Sequence, residues 1–230
     1  MEGLESGLGE LLADSNPTNN EASNMGHDPL SQFLSDWAKA KEAKDSNAFF
    51  CTLATVTEDG APELRMLALR GVDAARGTFL IETHDSSPKF HQLKANGKWS
   101  LLTFWNQPIM MQYRIKGTGI TLLDATEMEE RFQKKPKSAQ LLPLYYANHQ
   151  AQSSVLKGGR EEFVSTMKDL LNKEYAEKPV PFQPSLVGIQ FKPDVIEEWR
   201  GSAADRLHER YRYVYQKSEA GLWNKETLVP

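Results

Sequence analysis

Apolar residues first recur at helical spacing at Leu30, Phe33, Leu34 and Trp37. They follow Asp28-Pro29, a capping residue with proline at the first helical position, and the spacing predicts an amphipathic helix to about Glu42. The pattern then turns to strands. Ala48–Val56 is apolar and β-rich, Glu58-Asp59-Gly60 forms a hairpin-type turn, and Glu63–Arg70 continues as a second strand. Thr78–Thr83 reads as a third strand after a polar turn at Asp73–Gly77, and Pro88–Ala95 as a short helix. Trp99–Trp105 and Ile109–Leu122 make another hairpin around Asn106-Gln107-Pro108. In its second arm Met111, Tyr113 and Ile115 alternate with Gln112, Arg114 and Lys116, so that strand has one polar face.

Asp124 with Glu127 forms a variant capping box that opens a helix to about Lys134. Pro136 interrupts it, and a second helical stretch runs to Asn148. Phe163, Met167, Leu170 and Leu171 mark a further amphipathic helix after Gly158-Gly159. Strands return at Val187–Phe191, Val195–Arg200, Leu207–Gln216 and Leu222–Leu228. Strands in hairpins with helices between the groups predict an α+β fold around an antiparallel sheet or barrel, not alternating βαβ units. Residues 1–27 hold no aromatic side chain and are rich in Gly, Ser, Asn and Glu, which predicts a disordered tail ahead of a folded region 28–230.

Composition narrows the function classes. With 27 basic and 31 acidic side chains the chain has a formal charge of −4, which argues against broad nucleic-acid binding. A single cysteine, Cys51, excludes an internal disulfide and a cysteine-cluster metal site, and a buried strand position is expected for it. The histidines at 27, 84, 91, 149 and 208 form no metal pair, so no metal is expected. No run approaches the roughly 18 apolar residues of a membrane helix, and no leader pattern opens the chain. No membrane partner and a reducing, cytoplasmic compartment are therefore expected. Walker, dinucleotide-fingerprint and zincin patterns all fail on spacing.

What stands out is a set of basic residues in or just after strands. Arg65 and Arg70 bracket Met66-Leu67-Ala68-Leu69, and on one continuous strand they face opposite ways. They are either strand-end arginines reaching solvent or parts of a site that wraps the strand edge. Ser86-Ser87-Pro88-Lys89 begins a helix, where free N–H groups, hydroxyls and a lysine suit either an ordinary cap or a phosphate. Trp199-Arg200-Gly201 leads into Asp205-Arg206-Leu207-His208-Glu209-Arg210. If Arg206 begins a strand, then Arg206, His208 and Arg210 share one face and Leu207 points to the core. That face is either solvated and paired by Asp205 and Glu209, or it meets an anionic ligand with a planar part against Trp199.

At these residues the sequence resembles the pyridoxamine 5′-phosphate oxidase family, FMN enzymes that make pyridoxal 5′-phosphate. The likeness runs from about Asp28 to Pro230 and is most specific at Trp199-Arg200-Gly201, Arg206-Leu207-His208-Glu209-Arg210 and the terminal Leu228-Val229-Pro230. It implies a split β-barrel homodimer with FMN at the subunit interface. It also implies oxidation of pyridoxamine or pyridoxine 5′-phosphate, with oxygen as acceptor and hydrogen peroxide as product. Arg65 and Lys89 would hold the FMN phosphate, with Ser87 and Pro88 beside it. The backbone of Met66, Leu67, Ala68 and Leu69, with Arg70, Glu82, Thr83 and Gln112, would line the flavin. Gln152 and Ser153 would reach it from the partner subunit, and Trp199 and Arg210 would complete the cofactor site. Arg206 and His208 are the implied catalytic pair at the substrate ring, and Arg70, Arg131, Lys135 and Ala139 the implied substrate-phosphate positions.

Several positions depart from the family pattern. Arg70 stands for lysine, Arg131 for tyrosine, Lys135 for arginine and Ala139 for serine, so a bidentate phosphate fork is lost. Pro88 replaces a cation, and Glu82 replaces a tyrosine. The implied oxidase therefore has two alternatives: a paralogue using FMN on a different anionic substrate, and a non-catalytic flavin or pyridoxal-phosphate binder.

Overall fold

The computed structural model describes residues 28–217 and 222–230; the expected tail lies outside the described residues. The first helix, α1 (Pro29–Glu42), begins as the sequence predicts, with the Asp28 carboxylate accepting from the N–H groups of Leu30 and Ser31 at 3.1 Å. Eleven strands and four more helices follow among the described residues. β1 (Phe50–Val56), β2 (Pro62–Ala68), β3 (Gly71–Asp73) and β4 (Thr78–His84) precede α2 (Pro88–Asn96). β5 (Lys98–Trp105), β6 (Met111–Thr118) and β7 (Thr121–Leu122) lead to α3 (Ala125–Gln133), α4 (Lys137–Asn148) and α5 (Gly159–Asp169). A π turn (Leu170–Glu174) and strands β8 (Leu186–Phe191), β9 (Val195–Arg200), β10 (Glu209–Gln216) and β11 (Leu222–Thr227) complete the fold.

All strand pairs are antiparallel, and they form two sheets: β11-β10-β9-β6-β5-β1-β2 and β3-β4-β8-β7. The α+β expectation is met, but the strands do not close into a barrel. Two expected strands are divided between the sheets, one by a change of hydrogen-bond partner and one by a backbone turn. The stretch Glu63–Arg70 leaves the large sheet at Leu69, whose N–H donates to the Phe49 carbonyl, while the Arg70 N–H donates to Leu80 of β4 in the small sheet. The stretch Ile109–Leu122 breaks at Gly119, whose positive φ of 75° turns the chain from β6 into β7.

α1 packs where the sheets meet. Phe33, fully buried, touches Phe79 of β4 and both Trp105 and Tyr113 of the large sheet, with ring centroids 4.9–5.3 Å apart. The adjacent turn of α1 carries a buried polar hub. The Asp36 carboxylate accepts from Gln32, Lys39, the Tyr113 hydroxyl (2.7 Å) and Arg200 (3.0 Å), and Arg200 also holds Glu198. Burial alone would raise the Asp36 pKa; its hydrogen bonds and the Arg200 charge outweigh that and hold it below the ordinary value of 3.8. Cys51 is buried in β1 as expected, and burial pushes its thiol up to about 12. A second core sets α3, α4 and the π turn on the small sheet through Leu80, Phe132, Leu144 and Leu170. Among the described residues no helix is long and apolar enough to cross a membrane.

Register fixes the two faces of the large sheet. Arg65 lies in line with Leu53, Leu101, Ile115 and Ile196 on the buried face. Met66, Leu102 and Arg114 belong to the outer face, which also carries Leu64, Phe104, Gln112, Trp199 and Arg210. Leu64 and Met66, 68% and 65% exposed on an edge strand, leave that face apolar at its β2 end.

Candidate functional site

A cleft of about 360 Å³ opens between β2, β4 and the start of α2. β2 contributes Glu63 through Leu67, β4 contributes Glu82 and Thr83, α2 contributes Pro88 and Lys89, and the loop before α5 contributes Gln152 and Ser153. Thr83 is its polar centre. The Lys89 ammonium donates to Thr83 Oγ1 at 3.1 Å, and Thr83 donates to Gln152 Oε1 at 3.0 Å, which the His84 N–H also reaches. The Ser87 hydroxyl, fully buried, lies 3.0 Å from Thr83 Oγ1 and makes no cap bond to the helix. The serine before Pro88 therefore serves the cleft and not the helix end.

Two cations face this cleft, Arg65 paired with Glu63 and Lys89 with no carboxylate partner among the described residues. Burial, and then the Arg65 charge, pulls the Lys89 pKa below its ordinary value. Burial lowers that of Arg65 too, against the opposing pull of Glu63. Arg65 is braced on Glu63 at 2.9 Å and on Thr55 at 2.5 Å. Desolvated like charges beside a hydroxyl pair and a helix N-terminus form a donor set that suits a phosphate ester.

The other expected site residues lie elsewhere. Gln112, Trp199 and Arg210 are in register across β6, β9 and β10 on the outer face. β9 is four strand spacings from β2, roughly 19 Å along the sheet. Arg210 pairs with Glu197 at 3.1 Å, which also takes Arg114. The Arg206–Arg210 stretch corrects the sequence expectation. Arg206 has a positive φ of 62° and precedes β10, and Leu207 is 73% exposed instead of facing the core. Asp205 causes this by accepting from the Ser202 hydroxyl and the Leu207 N–H, which folds the segment into a turn. His208 still approaches Trp199, with centroids 4.8 Å apart, and its Nδ1 accepts from the Ser202 N–H. Gln152 and Ser153, expected to reach a partner's flavin, line the cleft of their own chain. Ala68 and Leu69 lie outside the cleft lining, where the strand is already crossing to the other sheet.

Arg70, Arg131 and Lys135, the implied substrate-phosphate positions, converge on a protein group. All three meet the Glu82 carboxylate. Ala139, on the first turn of α4, takes no part in these ion pairs.

Comparison with known proteins gives the ancestry. Residues 38–173 match the family model described as pyridoxamine 5′-phosphate oxidase. A pyridoxine/pyridoxamine 5′-phosphate oxidase of Acaryochloris marina is 32% identical over 202 residues, covering 88% of this chain and 86% of that protein. One from Leptospira biflexa is 34% identical over 205 residues, covering 89% and 90%. The chain belongs to the pyridoxamine 5′-phosphate oxidase family. The structure of PhzG from Burkholderia lata, solved with tetrahydrophenazine-1-carboxylic acid, is similar at TM-score 0.75 and 25% identity, covering 95% of this chain and 98% of that one. An FMN-binding, pyridoxamine 5′-phosphate oxidase-related protein of Nostoc punctiforme shares the fold at TM-score 0.66 and 16% identity, with 89% and 99% covered.

Sequence reasoning did not single out Glu63, Thr55 or Glu197, which hold the arginines of this family member. The Glu63-x-Arg65 spacing puts both on one strand face and was a usable signal. Glu197 needed the β9–β10 register, which no local pattern supplies.

Proposed function

We propose that the chain is an FMN-dependent oxidase of a ring substrate, and that its cleft is the cofactor-phosphate half of the site. The observation that carries this reading is the pair Arg65 and Lys89, desolvated beside Thr83, Ser87 and the α2 N-terminus, with Glu63 paired to Arg65 and no carboxylate paired to Lys89 among the described residues. FMN, when bound, supplies a two-electron acceptor that takes a hydride equivalent from a substrate carbon and passes the electrons to oxygen, giving hydrogen peroxide. Arg65 and Lys89 hold the phosphate, and Thr83 and Gln152 fix the position of Lys89 and the cleft wall. With Nδ1 accepting from Ser202, a neutral His208 keeps its proton on Nε2 and offers a donor to the substrate ring, with Trp199 packed against it. Arg206, two residues before His208 in the turn, would add positive charge.

The cleft and the Trp199–His208–Arg210 group are far apart in one chain, and this supports a homodimer in which each subunit completes the other's site. Leu64 and Met66 belong both to the cleft lining and to the exposed outer face that carries Trp199 and Arg210. Met66→Glu is expected to convert a dimer to a monomer on size-exclusion chromatography and to weaken FMN retention together with it. An unchanged elution position would remove this part of the reading.

Two substrate classes follow from different observations. The names of the curated relatives support pyridoxamine or pyridoxine 5′-phosphate oxidised to pyridoxal 5′-phosphate. The Glu82 cluster, and the carboxylic acid bound to PhzG, favour a paralogous oxidase acting on another anionic or uncharged ring. The test is whether protein purified with FMN retains the flavin and releases peroxide when given pyridoxamine 5′-phosphate, pyridoxamine or a reduced ring acid. A protein that holds no flavin, or forms no peroxide with any of them, would overturn the oxidase reading.

A further inference from the structure

Glu82 has a side chain only 5% exposed, yet it stands at the wall of the cleft. Three cations from three separate pieces of chain are aimed at it. Arg131, on α3, donates through Nε to Oε1 at 3.2 Å, Lys135, in the turn before α4, donates to Oε2, and Arg70, at the sheet crossover, lies 3.5 Å from Oε2. A second Arg131 nitrogen donates to the Arg70 carbonyl at 3.1 Å, which joins helix and crossover. Arg131 and Lys135, four apart at the end of α3 and its turn, reach Glu82 across 49 and 53 residues of chain.

The donors that Arg131 and Lys135 turn toward Glu82, the cluster's one member in the cleft lining, are thus already engaged by an anion that belongs to the protein. A phosphate ester brought to these cations would have to take them from Glu82. The carboxylate would be left buried, short of partners and next to a dianion. A neutral ring substituent asks for no such exchange.

The geometry points to Glu82 as a built-in counter-anion that sets substrate choice: the oxidase proposed above accepts B6-type rings without a phosphate ester and discriminates against phosphorylated ones. This rests on that reading for the ring site, and the role given to Glu82 is one of specificity, through the cations it holds. The test separates binding from oxidation. FMN-loaded protein is titrated calorimetrically with 4-deoxypyridoxine and with its 5′-phosphate, rings that lack the oxidisable C4′ hydroxyl and differ only in the ester. The wild type is expected to bind the ester no tighter than the free ring. Glu82→Gln, which frees Arg131 and Lys135, is expected to gain about tenfold or more in affinity for the ester alone. Tighter binding of the ester by the wild type, an equal gain for both ligands in the variant, or binding of neither ligand would overturn the inference. Should Glu82→Gln fail to fold, the wild-type pair decides by itself. A protein that shows the expected ligand preference yet oxidises no ring would sink the oxidase reading and leave the role of Glu82 standing.

Discussion

Replacing Lys89 with alanine is expected to weaken FMN binding by roughly 10- to 150-fold, the equivalent of one charge-assisted hydrogen bond of about 1.5–3 kcal/mol. The apoprotein should lose no stability. Lys89 faces Arg65 and is desolvated, so its charge opposes folding until an anion arrives, and the lowered pKa records that cost. The two readouts move independently, which separates a binding residue from a structural one. Fluorescence titration of FMN gives the first and thermal unfolding of the flavin-free protein the second. Unchanged FMN affinity in Lys89→Ala would place the cofactor phosphate elsewhere.

Arg200→Met should destabilise the fold strongly, by about 3–5 kcal/mol near neutral pH. It strips the Arg200 charge from Asp36 and Glu198, both buried to 2% side-chain exposure, and so breaks the ion-pair link from α1 to β9 while the Tyr113 bond to β6 remains. The pH dependence follows from the direction of the Asp36 shift. Its folded pKa is depressed below 3.8, so the wild-type carboxylate contributes stability that is present above that value and is lost as pH falls through the lower, folded one. Without Arg200 the ionised carboxylate is a liability that protonation relieves. The difference in stability between the variant and the wild type should therefore shrink on acidification. Urea unfolding at neutral and acidic pH measures it, and a pH-independent difference would contradict this account of the hub.

Much of this molecule is legible from local pattern, and the exceptions share a cause. α1 follows from Leu30, Phe33 and Trp37 after Asp28-Pro29, because cap chemistry and helical period agree there. β6 follows from the alternation at Met111, Tyr113 and Ile115, all buried to 5% exposure or less. The split of Glu63–Arg70 between two sheets is hard to read in sequence, since the apolar run Met66–Leu69 runs into the crossover unbroken and Gly71 follows only once the chain has changed sheets. Arg206–Arg210 fails for the opposite reason. Its alternation imitates a strand, but local hydrogen bonds to Asp205 turn the chain before the sheet begins. Arg65, Thr83, Lys89 and Gln152 could be nominated by resemblance and do share one cleft. That Arg131 and Lys135 are engaged by Glu82 depends on packing across about fifty residues of chain, which no spacing rule reaches.

The most direct test of the oxidase reading is to mix the FMN-loaded protein anaerobically with pyridoxamine, and separately with pyridoxamine 5′-phosphate, and to follow the flavin absorbance. The account predicts bleaching that air restores with release of peroxide, faster for the unphosphorylated ring. A flavin that stays yellow with both would contradict it.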